Sequence, residues 1–366
     1  MTILESIDRS ATAFPPSAAR TLATTPDDMA MLRAAAELSR DLAKAKGRYY
    51  WPDFLASVLV GYGALAIVIL SGNLAVSLVA ALVAMLALYR GESFIHELTH
   101  IRKGALPGFR FGWNLLIGIP MLTPSFMYEG VHTQHHAKTR YGTVDDPEYL
   151  PLALMKPWSL PLFIVAAALA PIALLFRFAV LTPLALIIPP LRGAVDARFS
   201  ALSINPAYRR RPPEGEFKRM WRWQEAGASL WAIGLLIASA LYGWRPLLIA
   251  IAVYSGTAVI NQLRTLVAHL WENEGDVMTV TGQYLDSVNV PPPRLLAELW
   301  APVGLRYHAL HHLLPSVPYH ALPEAHRRLA GALGTDSTYE RSNHAGMIPL
   351  VAKIARSTMG RGRARA

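Results

Sequence analysis

The chain has 366 residues, 53% of them hydrophobic and only 16% charged, with a formal net charge of +10 and no cysteine. A charged fraction well under the usual quarter, combined with long apolar runs, argues for membrane residence. The missing cysteine excludes disulfides, thiolate metal sites, a cysteine nucleophile and a cysteine-ligated iron–sulfur cluster within this chain, so any metal must be held by nitrogen and oxygen. The basic residues lie mainly in loops beside apolar segments and in the run Arg361-Gly-Arg363-Ala-Arg365. That distribution orients a membrane protein and attracts anionic groups; it is not a nucleic-acid signature.

Residues 1–48 are rich in Ala, Ser and Pro, carry scattered charges and lack the pattern of a cleaved signal peptide. They read as a partly mobile cytoplasmic segment with some helix. Two uncharged apolar runs follow, 54–70 and 74–89, joined by Ser71-Gly-Asn73. Each is slightly short of the roughly 20 residues that cross a bilayer, but flanking aromatics and stems can complete it, and together they predict a transmembrane hairpin. A second hairpin is predicted over 226–242 and 246–260, with its turn at Gly243-Trp-Arg245. The basic clusters (Lys44, Lys46 and Arg48; Arg102 and Lys103; Arg209 to Arg211; Lys218, Arg219 and Arg222) fall on the open side of both hairpins. By the positive-inside tendency that side is cytoplasmic. Between the hairpins, 152–191 is apolar but interrupted by Pro157, Pro161, Pro171, Pro183, Pro189, Pro190 and Arg177. It is somewhat short for two spans, and one span would put later histidines on the wrong face, so it reads as interfacial or re-entrant. The predicted fold is an all-α integral membrane protein. It has four spans in two hairpins, a cytoplasmic helical cap, an interfacial helical segment, a membrane domain over 49–330 and a basic cytoplasmic tail over 331–366.

The twelve histidines are not scattered. Eight lie in three boxes: His96-Glu-Leu-Thr-His100, His132-Thr-Gln-His135-His136 and His308-Ala-Leu-His311-His312. Residues three and four apart share a helix face, so each box presents two or three imidazoles together. Imidazole is a good ligand for iron, copper, nickel and zinc. If the second and fourth spans continue as helices, His96 stands about 10 Å beyond Tyr89 and His269 about 14 Å beyond Ile260. That similar height makes His269 a ninth candidate ligand. One ion takes four to six ligands, so nine imidazoles imply two ions, and O2 chemistry favours iron. A carboxylate-type di-iron bundle needs two Glu-x-x-His pairs; only Glu129-Gly-Val-His132 has that spacing. His96-Glu97-Leu-Thr-His100 also matches the zinc-metalloprotease pattern with Glu97 as general base, although such a zinc needs three protein ligands and leaves the other boxes without a purpose. His320, His326 and His344 fall outside the pattern and read as structural.

The pattern His96-x3-His100, His132-x2-His135-His136, His308-x2-His311-His312, set against two hairpins, resembles the three histidine boxes of membrane fatty acid desaturases. The resemblance runs over about 50–330, and the stretch from Asn261 to His269 is similar to that family's additional ligand-bearing helix. A first box reading His-Glu-x-x-His is similar to its sphingolipid and bacterial acyl-lipid members. The resemblance implies two iron ions held by the nine histidines, O2 as co-substrate, and a lipid acyl chain as substrate. It also implies an active site facing the cytoplasm, here of a bacterial inner membrane. Desaturation is the leading expectation, with lipid or carotenoid hydroxylation in the same superfamily as the alternative. Glu97, Glu129, Asp145, Asp146 and Asp286 are near enough in sequence to accept the second N–H of ligating imidazoles, with Glu97, Asp145 and Asp146 the main candidates. Trp113, Met121 and Tyr128 are candidates for an acyl tunnel. No G-x-G-x-x-G run and no haem-domain motif is present, so a separate ferredoxin or cytochrome-type carrier is expected to supply electrons.

Overall fold

The computed structural model describes residues 22–150, 152 and 155–363. The first part of the segment expected to be mobile, and Arg365 of the basic tail, lie outside the described residues. Within them the fold is helical, and backbone pairing between segments is confined to isolated bridges such as His269 with Ser287.

Helix α1 (Met29–Leu38) starts at Asp28, whose carboxylate accepts from Met31 N at 3.0 Å. Its buried Met31 and Ala35 pack in one cluster with Leu322, Ala325 and Leu329. The N-terminal segment is therefore folded onto the cap from Asp28 onward. Helices α2 (Gly47–Leu70) and α3 (Leu74–His100) form the first hairpin. At 24 and 27 residues they are about 36 and 40 Å long, more than the roughly 30 Å of bilayer hydrocarbon. They approach closely at Gly61, where an added Cβ would meet Leu88 at 2.7 Å. The apolar run ends at Tyr89, yet α3 stays helical to His100, and this extension lifts the first box above the span.

A cap of short pieces follows: α4 (Phe109–Trp113), a π turn (Asn114–Gly118) and α5 (His132–His135). Next come α6 (Ser159–Ile187) and α7 (Pro189–Arg198), then the second hairpin, α8 (Gly215–Tyr242) and α9 (Arg245–Leu266). The chain returns to the cap as α10 (Val280–Asp286), α11 (Ala297–Trp300), α12 (His308–Leu313) and α13 (Leu322–Leu333). It ends in α14 (Met347–Arg363), which seats Leu350 and Ile354 against Leu266, Val288 and Val290. The beginning of the tail is thus packed on the cap.

By length and composition five helices are able to cross a membrane: α2, α3, α6, α8 and α9. The fifth, α6, falls in the stretch 152–191 read from sequence as interfacial or re-entrant, and it is one continuous helix where the prolines suggested breaks. α6 runs through Pro171 and absorbs the disturbance in a π turn at Arg177–Leu181. In an apolar medium no water satisfies freed backbone groups, so a helix bends rather than opens. Both ends of the excursion nevertheless lie on the side that carries the histidines. Phe163 near its start packs against Trp271, two residues past His269. At its far end Leu202 N donates to Met127 O at 2.8 Å and Ile204 N to Pro147 O at 3.1 Å. The ten residues of α7 rise only about 15 Å, half the hydrocarbon thickness. The excursion therefore leaves and returns on one side, and α2, α3, α8 and α9 make the net crossings.

Candidate metal centre

The three boxes and His269 converge in two groups. His96, His100, His132, His136 and His311 form one; His135, His269, His308 and His312 form the other; within each, the candidate ligand atoms lie within 4.8 Å of one another. Helix geometry explains the partition. His132 and His136, four apart on α5 and its cap, turn to the first group, while His135 between them turns to the second. His308 and His312 likewise share the second group, and His311 is offset into the first. His269 enters through a bridge with Ser287 just past α9.

The donor set suits cations. Nε2 atoms face each other at 2.9 Å between His132 and His136, 3.0 Å between His269 and His308, and 3.1 Å between His100 and His311. Both ring nitrogens of His96 are buried without a hydrogen-bond partner among the described residues. A ring that donates Nδ1–H outward presents its Nε2 lone pair inward, as a metal ligand must. Burial holds the pKa of His132, His136, His269, His308, His311 and His312 well below the ordinary imidazole value, so these rings are neutral and their lone pairs are available.

Outward donation is visible at three positions. His135 Nδ1 lies 2.9 Å from Asp146, which also accepts from Gly142 N and Glu148 N, each at 2.8 Å. His132 Nδ1 lies 2.9 Å from Glu148 and 2.8 Å from Tyr128 Oη, and that hydroxyl donates to Glu148 at 2.8 Å. His269 Nδ1 lies 2.8 Å from Tyr141 Oη, which donates to Asp286 at 2.9 Å. His308 differs, with the Arg264 guanidinium 3.2 Å from its Nδ1.

Of the acidic residues singled out from sequence, Asp146 is where an orienting group belongs, and Asp286 acts through Tyr141. Asp145, by contrast, is exposed on the turn and its backbone N–H bonds Thr143, with no histidine beside it among the described residues. One oxygen of Glu97 is clasped by the Tyr50 hydroxyl and by Tyr319 N at 3.1 Å, which ties the cap to α2, while the other lies 4.0 Å from His96 Nδ1. Glu129 is engaged by Arg110 at 3.1 Å. Glu148 was not anticipated; it sits after Pro147 on an irregular turn where no spacing rule applies. Outside the groups, His326 bonds Tyr339 and His320 packs against Tyr49.

A cavity of about 490 Å³ opens beside His96. Leu162, Phe163, Ala166, Ala170 and Leu174 of α6 form its apolar wall. Met121 and Tyr128 line it as anticipated, whereas Trp113 is a core residue whose Nε1 donates to Gly91 O at 2.8 Å. A second cleft, lined by Arg40, Lys44 and Arg102, also reaches His100.

Comparison with known proteins agrees with this architecture. Residues 71–343 match the fatty acid desaturase family. A ceramide hydroxylase of Caulobacter vibrioides (strain NA1000 / CB15N) is 48% identical over 337 residues, covering 92% of this chain and 96% of the relative. With three boxes drawn into two imidazole groups above membrane-crossing helices, and a family match spanning nearly all of that architecture, the chain belongs to the fatty acid desaturase family, as an enzyme of its lipid-modifying desaturase and hydroxylase superfamily.

Proposed function

We propose that this protein is a di-iron, O2-dependent hydroxylase acting on a ceramide-type lipid at the cytoplasmic face of a bacterial inner membrane. The observation that carries the reading is the likeness to a ceramide hydroxylase along 92% of the chain. It moves the preference from desaturation, the leading expectation from sequence, to hydroxylation. A bound iron pair supplies the reduction of O2 by which R–H + O2 + 2 e⁻ + 2 H⁺ becomes R–OH + H2O.

The protein's own residues do the rest. Nine histidines, His96, His100, His132, His135, His136, His269, His308, His311 and His312, hold the ions in two groups. Asp146, Glu148 and the Tyr141–Asp286 pair fix ring orientation and tautomer, which keeps the Nε2 lone pairs directed inward. The cavity beside His96 fixes which C–H is presented, and positioning of that kind decides regioselectivity. Electrons come from a separate acidic carrier of ferredoxin or cytochrome type. The basic residues at the cleft that reaches His100 supply the complementary charge for its docking.

The test is lipid analysis of cells that make ceramides, with and without this protein. A ceramide heavier by one oxygen atom is the expected product. A ceramide or acyl lipid lacking two hydrogens would restore desaturation as the activity, and an oxygenated carotenoid with unchanged ceramides would reassign the substrate.

A further inference from the structure

The cavity beside His96 has a second wall that a hydrocarbon chain does not need. Glu92, Thr123, Asn261 and Gln262 line the cavity together with the apolar residues of α6. Glu92 precedes His96 by four residues on α3, so both point to one side, about 6 Å apart along the axis. Asn261 and Gln262 lie on α9, about two turns before the chain reaches His269.

Beyond the contact between Glu92 and Thr123, the fold gives these groups no side-chain partner among the described residues, and Glu92 has no basic partner there. Glu92 and Gln262 are half-buried and Asn261 is exposed. The other buried carboxylates near the centre are occupied: Asp146 and Glu148 by histidines, Asp286 by Tyr141, Glu97 by Tyr50 and Tyr319, and Glu225 by Arg177. An ionisable side chain beside an apolar cavity is costly unless it meets a polar partner, and a bound ligand can supply that partner.

We propose that Glu92, Thr123, Asn261 and Gln262 form a polar subsite that grips the amide and hydroxyl groups of the lipid and directs oxidation to a carbon within a few bonds of the head group. This rests on the hydroxylase reading and names how that site chooses its carbon. A carboxylate accepts from hydroxyl or amide N–H, and the two carboxamides both donate and accept, which complements an N-acyl amino alcohol. A plain acyl chain offers these groups nothing, and passing methylenes along them would leave them desolvated and unpaired.

The experiment has two arms. In the first, the holoenzyme in lipid nanodiscs without O2 is titrated with a fluorescent ceramide and with the same lipid lacking its hydroxyls. Wild type should prefer the hydroxylated lipid. Glu92→Leu and Gln262→Leu should each weaken its binding about tenfold and bring the two lipids together, the loss expected when a hydrogen bond is removed and its partner is left unpaired. Glu92→Gln, which keeps shape and one acceptor, should retain part of the preference. Unchanged discrimination in Glu92→Leu and Gln262→Leu overturns the subsite; if Glu92→Leu does not insert, Gln262→Leu and Thr123→Val decide the question. In the second arm, fragmentation of the holoenzyme's product locates the modified carbon. An oxygen far along either chain overturns the subsite and leaves the hydroxylase reading intact. A double bond near the head group does the reverse.

Discussion

Asp145 and Asp146 are adjacent in sequence and have opposite environments. Asp146 is fully buried and holds His135 at 2.9 Å, while Asp145 is exposed on the same turn. Replacing Asp146 by Ala removes the acceptor that fixes the His135 tautomer and strands the Gly142 and Glu148 N–H groups that it also satisfies. Loss of such an outer partner lowers metal affinity or activity by about 10- to 100-fold. Asp146→Ala and Glu148→Ala should therefore purify with less iron per chain, and Asp145→Ala with the wild-type amount; equal iron in all three would refute the orienting role. The histidines themselves were legible because a period of three or four residues maps directly onto a helix face. Glu148 and Tyr141 were not, because they reach the rings across irregular backbone where spacing carries no direction. Glu92 was not legible for a different reason: it lies three residues past Tyr89, where the apolar run has ended and a charge on a helix carries no special signal.

Among the elements, α6 is where sequence reading and structure part most clearly. Its prolines suggested breaks and its arginine suggested an interface, yet the helix continues and Arg177 is buried. The guanidinium pairs with Glu225 of α8 at 2.6 Å and donates to Phe199 O at 2.8 Å and Ser200 Oγ at 3.0 Å. Arg192 reaches the other oxygen of Glu225 at 2.7 Å. The charge was visible in the sequence, but its partner 48 residues away was not. Removing one member of a buried pair leaves an uncompensated charge and costs about 3–5 kcal/mol, whereas replacing the pair by apolar residues of similar size is often neutral. Glu225→Leu should lower the thermal midpoint in detergent sharply, and Arg177→Met with Glu225→Leu should recover most of the loss. Equal midpoints for the single and double variants would show that the pair does not tie α6 to α8. The two hairpins were readable because uncharged runs and short turns need no tertiary information. Their extensions beyond the apolar runs were readable only through the histidines that they carry.

At the scale of the whole molecule, the histidine groups impose a constraint on topology. The end of α3, α5, the segment after α9 and α12 all contribute imidazoles to two clusters, so all four must lie on one side of the membrane. Between α5 and α8 the chain must then cross an even number of times. α6 is long enough for one crossing, but α7 is too short for the return, and Leu202 is already bonded to Met127 beside the second box. The tip between them, near Ile188, must therefore stop inside the bilayer. Leu186 and Ile187 are 77% and 78% exposed there, as suits side chains that meet lipid and not water. Because the chain has no cysteine, single introduced cysteines report position without a background. A cysteine at Gly72 or Gly243 should react with a membrane-impermeant maleimide from the outer side. One at Ile188 should react from neither side in intact membranes and only after detergent is added. One at Lys103 or Lys218 should react only when the cytoplasmic face is opened. Outer-side labelling at Ile188 would mean that α6 crosses, which would leave the first and third boxes on opposite faces and exclude both imidazole groups together.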